Sequence, residues 1–215
     1  MKKNLLPWIV VLVALLPAVY LLLIWPSMPQ TVPVHFGADM KPDRLGDKDE
    51  LWLTTGILAV VSIVVYFLLI NLHRFDPKRK DAAQSATFQK LAGGTVIFIA
   101  ALNFLILNSA KGGTTIQSFL FPLLGLMFAF IGNYMNHIKP NYFAGIRLPW
   151  TLNNDENWRR THQLGGKLWF AGGLLIAVVC LFLKPPASFI FFIVVIVVMV
   201  FIPVVYSYRL YKKGF

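Results

Sequence analysis

The sequence predicts an all-α polytopic membrane protein with six transmembrane helices, and three observations lead to this fold class. Hydrophobic residues make up 57% of the chain, charged residues make up 13%, and the mean hydropathy is +0.67. A soluble domain is about half apolar and about a quarter charged. Apolar runs of roughly 18 to 22 residues recur, which is the length that a helix needs to cross a bilayer. The runs are uniformly apolar, which favours helices over the alternating strands of a membrane barrel.

Six apolar runs fit membrane-spanning helices. The predicted spans are residues 5–25, 51–72, 91–108, 116–134, 167–183 and 189–208. We divide the chain accordingly into residues 1–50, with the first span and an outer loop, residues 51–131, with spans two to four, and residues 132–215, with a polar loop and spans five and six. The chain has 215 residues, so these spans leave no room for a separate soluble domain.

The distribution of basic residues predicts that both termini are cytoplasmic, because cytoplasmic loops carry an excess of Lys and Arg. With the N-terminus inside, the outer side carries only Lys41, Arg44, Lys48, Lys111 and Lys184 of the 20 basic residues. The cytoplasmic residues include Lys2, Lys3, Lys78, Arg79 and Lys80. These charges are dispersed over four segments and form no known nucleic-acid-binding motif, so we expect membrane lipids as partners and no direct contact with nucleic acid.

The first outer loop is predicted to be short, extended and ordered. The segment from Thr31 to Phe36 alternates in polarity, and Pro33 excludes a helix there. Gly37 permits a turn before a charged segment.

Two features inside the spans predict helix contacts. Gly125 and Ala129 form a small-xxx-small face for close packing on the fourth span. Asn103 lies in the middle of the third span, where its amide needs a partner on a neighbouring helix. No charged residue lies deep in any predicted span, which argues against an ion-coupled transporter.

The polar stretch of residues 132–166 is the motif-rich cytoplasmic loop. Pro140 followed by Asn141 predicts a helix break, and Gly145 permits an unusual backbone angle. Pro149 and Trp150 are predicted to be extended. Asn153, followed by Glu156, resembles a capping box that opens a new helix.

On that new helix Trp158 and His162 are four residues apart and share a face. We expect this face to lie on the membrane, with Arg159 and Arg160 reaching lipid headgroups. Aromatic and guanidinium groups of the loop can recognise a peptide or a headgroup. The alternative is that the loop folds back and caps the helix bundle.

Catalysis is not indicated by the sequence. His137 and His162 have no nucleophile beside them, and the chain has one cysteine, Cys180, and no paired Cys and His residues. We therefore expect neither an enzyme, nor a metal site, nor a cofactor.

The chain resembles the SdpI-like family of bacterial membrane proteins in its cytoplasmic loop and in its first outer loop. The matching cytoplasmic residues are Gly132-Asn133, Gly145-Ile146-Arg147, Pro149-Trp150-Thr151-Leu152 and Trp158. The outer residues Met28-Pro29, Thr31-Val32-Pro33-Val34-His35-Phe36 and Pro42-Asp43-Arg44 are similar to a small domain of unknown function that is often N-terminal in that family. Together the two patterns cover nearly the whole chain.

The resemblance implies an immunity protein of the bacterial cytoplasmic membrane, with six spans. Such a protein protects its own cell from a secreted killing-factor peptide that collapses the membrane potential, and it signals by holding a transcriptional repressor at the membrane. The implied partners are that peptide outside and a repressor in the cytoplasm. The candidate binding residues are Asn133, Asn141, Gly145, Arg147, Pro149, Trp150, Thr151 and Trp158 inside, with Pro33, His35, Phe36, Asp43 and Arg44 outside.

Two other functions remain open at the level of sequence. A transporter of small molecules or lipids predicts a polar path through the bundle near Asn103. A lipid-modifying membrane enzyme predicts that His137 or His162 is essential.

Overall fold

A computed structural model describes residues 5–75, 82–113 and 115–215. Over these ranges the chain forms helices and one two-stranded antiparallel sheet. In chain order the elements are α1 (Leu6–Ile24), a 3-10 turn (Trp25–Ser27), β1 (Thr31–Phe36), β2 (Pro42–Asp47), α2 (Glu50–Phe75), α3 (Ala82–Ala110), α4 (Thr115–Met135), α5 (Pro149–Asn153), α6 (Asp155–Val179) and α7 (Ala187–Lys212). The predicted cytoplasmic charges of Lys2, Lys3, Lys78, Arg79 and Lys80 lie outside the described residues.

Five helices are long and apolar enough to cross a membrane. They correspond to Leu6–Ser27, Glu50–Leu72, Ala86–Ala110, Thr115–Met135 and Ala187–Lys212. The fold is therefore that of a mostly helical, polytopic membrane protein. Helix α6 is not among the five because its first half, from Asp155 to Lys167, is mostly polar, so the sixth span stays a prediction.

Helices α4 and α6 pack closely and antiparallel through small residues. A Cβ atom added to Gly125 would lie 2.6 Å from the carbonyl oxygen of Gly173, and one added to Gly132 would lie 2.4 Å from the backbone nitrogen of Phe170. Ala129 meets Gly173 between these two points. The small-xxx-small face predicted on the fourth span is thus confirmed, and it brings the two backbones into direct contact.

Polar side chains link α1, α2 and α3. The Thr55 hydroxyl on α2 donates to the side-chain oxygen of Asn103 on α3 at 3.3 Å, and both residues are buried. The Tyr20 hydroxyl on α1 donates to Asn108 Oδ1 at 3.0 Å. Asn103 therefore has the interhelical partner that its position in an apolar helix requires.

The β1–β2 hairpin covers one end of the bundle, which we call the hairpin end. Its buried Val32 packs with Leu21 of α1 and Leu107 of α3. Its turn residue Met40 packs in a cluster with Ile116 at the start of α4. The segment predicted to be extended is a strand, and pairing with the charged segment makes it a hairpin; its place on the outer side stays a prediction. The opposite end, where α4 ends and α6 begins, is the loop end.

Candidate functional site

The loop end is built from residues 136–154, which we call the motif loop, together with the first turns of α6. Asn141 is buried at the centre of the loop. Its Nδ2 donates to the carbonyls of Lys139 and Ala144 at 2.8 and 3.1 Å, and its Oδ1 accepts from the backbone N–H groups of Phe143 and Ala144 at 2.8 and 2.7 Å. One amide therefore satisfies four backbone groups and fixes the turn that follows the helix break.

Gly145 allows the motif loop to reach α6. Its φ is +107°, which is strained for residues with a side chain. A Cβ atom there would lie 2.3 Å from His162 Nε2 and 3.1 Å from Trp158 Cζ2. Only glycine meets both the backbone angle and the close approach.

His162 and Trp158 form the surface against which the loop rests. Their rings stack with centroids 4.0 Å apart. His162 Nδ1 contacts the Trp158 carbonyl oxygen at 2.8 Å, and its Nε2 lies 3.0 Å from the backbone nitrogen of Ile146. Trp158 Nε1 donates to the Ile138 carbonyl at 2.8 Å. These contacts fix the neutral tautomer with the proton on Nδ1, so that Nε2 accepts from Ile146.

Burial is the main cause that lowers the pKa of His162 from 6.5 to about 4, and the hydrogen bond to the Trp158 carbonyl opposes it. Both residues are only 1% exposed. The expectation that their face lies on the membrane is therefore wrong, because the motif loop folds over that face.

Two local expectations for the motif loop are also corrected. Pro149 and Trp150 are not extended, since Pro149 opens the short helix α5, where a missing N–H costs nothing. The buried Thr151 hydroxyl of α5 donates to the Ile146 carbonyl at 2.8 Å and accepts from Leu148 N–H at 2.9 Å.

The cap of α6 is Asn154 instead of Asn153, because Asn153 ends α5. Asn154 Oδ1 accepts from the backbone N–H groups of Glu156 and Asn157, both at 2.9 Å.

The motif loop is also attached to the end of α7. Trp150 Nε1 donates to Ser207 Oγ at 2.9 Å, and the Trp150 ring stacks on Tyr211 at 5.8 Å. The fully buried Asn157 of α6 donates through Nδ2 to the carbonyls of Ser207 and Phe215 at 3.0 and 3.1 Å. Sequence reasoning missed Asn157, although a buried amide beside Trp158 is the kind of residue that joins helices.

The remaining predicted cytoplasmic residues are exposed. Arg147 donates one N–H to the Tyr142 carbonyl at 2.6 Å and is otherwise on the surface. Asn133 lies exposed on α4, away from the motif loop's hydrogen bonds. Pro149 and Trp150 line a cavity of about 470 Å³ with Tyr211 and Phe215.

The two arginines that were expected to reach headgroups are paired with a carboxylate of α6. Arg159 donates two hydrogen bonds to Glu156 at 2.8 and 2.7 Å, and Arg160 donates one at 2.6 Å. The bond from Arg159, followed by that from Arg160, lowers the pKa of Glu156 from 4.5 to about 2. The Arg160 guanidinium also lies 4.5 Å from the ring centroid of Phe215. Both arginine side chains stay partly exposed, so their contact with lipid headgroups stays a prediction.

The outer candidate residues lie together on the hairpin at the opposite end. Pro33 pairs with Leu45, His35 with Arg44 and Phe36 with Pro42 across the strands. His35 Nδ1 is 2.6 Å from Asp43 Oδ1, and both side chains are exposed. Arg44 Nη2 lies 3.9 Å from Glu50 Oε2, and Phe36 packs against the buried cluster that contains Ile116 and Phe121.

The arrangement is suited to binding and to holding helices together. Both ring nitrogens of His162 are occupied by backbone groups, so the imidazole is not free to act as a base. Within residues 5–75, 82–113 and 115–215 no group of three His, Cys, Asp or Glu side chains is placed to hold a metal ion.

Comparison with known proteins covers both ends of the molecule. Residues 137–207 match the SdpI/YfhL protein family, and residues 12–59 match a domain of unknown function, DUF1648. The immunity protein SdpI of Bacillus subtilis (strain 168) is 25% identical over 223 residues, which is 99% of this chain and 98% of that protein. An uncharacterized protein of Archaeoglobus fulgidus is 38% identical over 56 residues, 26% of this chain and 30% of that protein. No solved structure matches the chain.

Proposed function

Because this chain belongs to the SdpI-like family of multi-pass membrane proteins, we propose that it is an immunity protein that acts by binding and not by catalysis. It protects its own cell from a secreted, membrane-active killing-factor peptide. The observation that carries this proposal is the similarity to the immunity protein SdpI across 99% of the chain. Both ring nitrogens of His162 are held by backbone groups, which supports binding over base catalysis by this residue.

The proposed topology has six spans, with both termini in the cytoplasm of a bacterial cell. The packing of α6 supports the sixth span. Its residues from Gly166 to Ala177 run antiparallel along α4, from Gly132 to Gly125, and α4 is itself long and apolar enough to cross a membrane. A helix in backbone contact with a spanning helix over three turns shares its depth in the bilayer.

The hairpin is the proposed surface for the peptide. Strand β2 is almost wholly exposed, including Leu45 at 62%, and it carries Asp43 and Arg44. Beneath it, Phe36 and Met40 pack in one cluster with residues of α4, α6 and α7. A peptide that meets the hairpin therefore contacts an element joined to three helices.

The motif loop has a different proposed role. Four of its candidate residues make contacts that fold the loop itself: Asn141, Gly145, Thr151 and Trp158. These contacts support the alternative in which the loop caps the helix bundle. The exposed Arg147 and the cavity wall beside Trp150 leave a cytoplasmic surface for a protein partner such as a repressor.

A survival assay tests the proposal. A sensitive bacterium expresses the protein, is challenged with the killing-factor peptide, and its membrane potential is recorded. We expect the cells to keep their potential and to survive, and we expect Arg147→Ala, at equal membrane abundance, to reduce recruitment of the cytoplasmic partner to the membrane fraction. Lys213→Ala, which removes another exposed cytoplasmic charge, is the matched control. Loss of the potential with confirmed expression of the unaltered protein would reject the immunity role.

A further inference from the structure

A groove on the outside of α6 and α7 has apolar walls and one cationic end. It encloses about 360 Å³ and lies apart from the hairpin and from the motif loop. Its lining residues are Leu164, Phe201, Ile202, Val205, Tyr206 and Arg209. The proposed immunity function makes no use of this groove.

The walls of the groove are exposed although they are hydrophobic. Phe201 is 61% exposed, Ile202 is 44% exposed and Val205 is 45% exposed. All three lie on α7, which is long and apolar enough to cross a membrane. Side chains of this kind contact lipid acyl chains in the bilayer.

Toward the loop end, the lining of the groove changes from apolar to polar within one helical turn. Tyr206 and Arg209 follow Val205 along α7, so that a phenol and a guanidinium close the apolar groove. Arg209 makes no ion pair with any residue in the described part of the chain. Arg159 of α6 also interacts electrostatically with Tyr206, but Glu156 already holds it with two hydrogen bonds. Arg209 is therefore the cation of this groove that no carboxylate in the described part of the chain pairs with.

We propose that this groove binds one anionic phospholipid. An acyl chain lies along Phe201, Ile202 and Val205, and the phosphate accepts charge-assisted hydrogen bonds from Arg209 and a hydrogen bond from Tyr206. An apolar channel that ends in an unpaired cation at the membrane boundary complements a lipid with a negative headgroup. A zwitterionic lipid carries its own cation and gains less from Arg209.

The site differs from a general attraction of the basic surface to anionic membranes. A general attraction depends on the number of charges, whereas the groove depends on the position of Arg209 and on open space beside Val205. Arg209→Gln and Lys213→Gln remove the same charge at the same end of α7, and only Arg209 lines the groove. Val205→Trp fills the groove and leaves the net charge unchanged.

Native mass spectrometry of the purified full-length protein in detergent, titrated with phosphatidylglycerol or phosphatidylcholine, tests the proposal. We expect one phosphatidylglycerol to bind in preference to phosphatidylcholine. Arg209→Gln is expected to weaken that binding about five-fold, the effect of one basic residue near an anionic lipid. Val205→Trp should weaken it as well, Arg209→Lys should retain most of it, and Lys213→Gln should leave it unchanged.

Three results would overturn the proposal. Equal losses in Arg209→Gln and Lys213→Gln would mean a diffuse charge effect. Equal binding of the two lipids would mean that the headgroup charge is not recognised. Displacement of phosphatidylglycerol by soluble glycerol phosphate would mean a site for free phosphate with no role for the acyl chain. Because all the altered side chains are on the protein surface, a thermal melt verifies that each variant is folded.

Discussion

Gly145 of the motif loop lies directly against the imidazole of His162 on α6. A Cβ atom at Gly145 would come 2.3 Å from His162 Nε2, the same nitrogen that accepts a hydrogen bond from the next residue, Ile146. The loop is therefore attached to α6 through the His162 ring, and that ring stacks on Trp158, whose Nε1 donates to the Ile138 carbonyl of the loop. Separating the loop from α6 would break this hydrogen bond and leave the buried imidazole without its donor.

Gly145→Ala should destabilise the protein by about 3 kcal/mol, because a positive φ costs about 1 to 2 kcal/mol and the steric conflict with His162 adds to it. Thermal unfolding in detergent measures the effect. Gly112→Ala is the matched control, since Gly112 also has a positive φ, +98°, but has open space where its Cβ would be. Equal losses in the two variants would show that contact with His162 does not constrain position 145.

Acidification should loosen the motif loop through His162. Its pKa falls from 6.5 to about 4 in the folded protein, so between these values the unfolded chain binds more protons than the folded chain. Stability is therefore complete above about pH 6.5 and is lost as the pH falls to about 4, by about 3 kcal/mol in all. The free energy of unfolding should be lower at pH 5 than at pH 7. His162→Gln should remove the part of this pH dependence that comes from the imidazole. An unchanged pH dependence in His162→Gln would contradict the assignment.

Gly173→Ala should disturb the α4–α6 contact. Its Cβ would lie 2.3 Å from the backbone nitrogen of Ala129, which cannot move aside alone. We expect a loss of about 1 to 3 kcal/mol, the usual cost of overpacking. Gly56→Ala on α2 meets nothing within 4 Å and should be neutral or slightly stabilising. A melting temperature that stays the same in both variants would argue against backbone contact between α4 and α6.

The bond between Trp150 and Ser207 should contribute about 1 kcal/mol, as a typical hydrogen bond does. Trp150→Phe removes the donor and keeps an aromatic ring beside Tyr211. A double-mutant cycle with Ser207→Ala isolates the pair, because Ser207 Oγ also donates to the Val204 carbonyl. Additive effects of the two changes would mean that the bond does not join α5 to α7.

The sequence was sufficient for features that depend on local pattern. The apolar runs, the extended segment at Pro33 and the small face at Gly125 all follow from short-range rules. Asn103 needed a partner because of its surroundings, and the fold supplies Thr55.

Features that depend on distant segments could not be predicted. Helical spacing shows that Trp158 and His162 share a face, but it does not show that Ile138 and Ile146 cover that face. Likewise, two consecutive asparagines both fit a capping pattern, and only the end of α5 at Asn153 decides that Asn154 caps α6.

Direct binding of the peptide tests the central claim, that protection comes from binding without chemistry. The protein in lipid nanodiscs is titrated with the killing-factor peptide, and the peptide is then recovered and weighed by mass spectrometry. The account predicts saturable binding, weaker in Asp43→Asn than in the control Asp39→Asn, and a recovered peptide of unchanged mass. A cleaved or modified peptide, or no saturable binding by a protein that still protects cells, would contradict it.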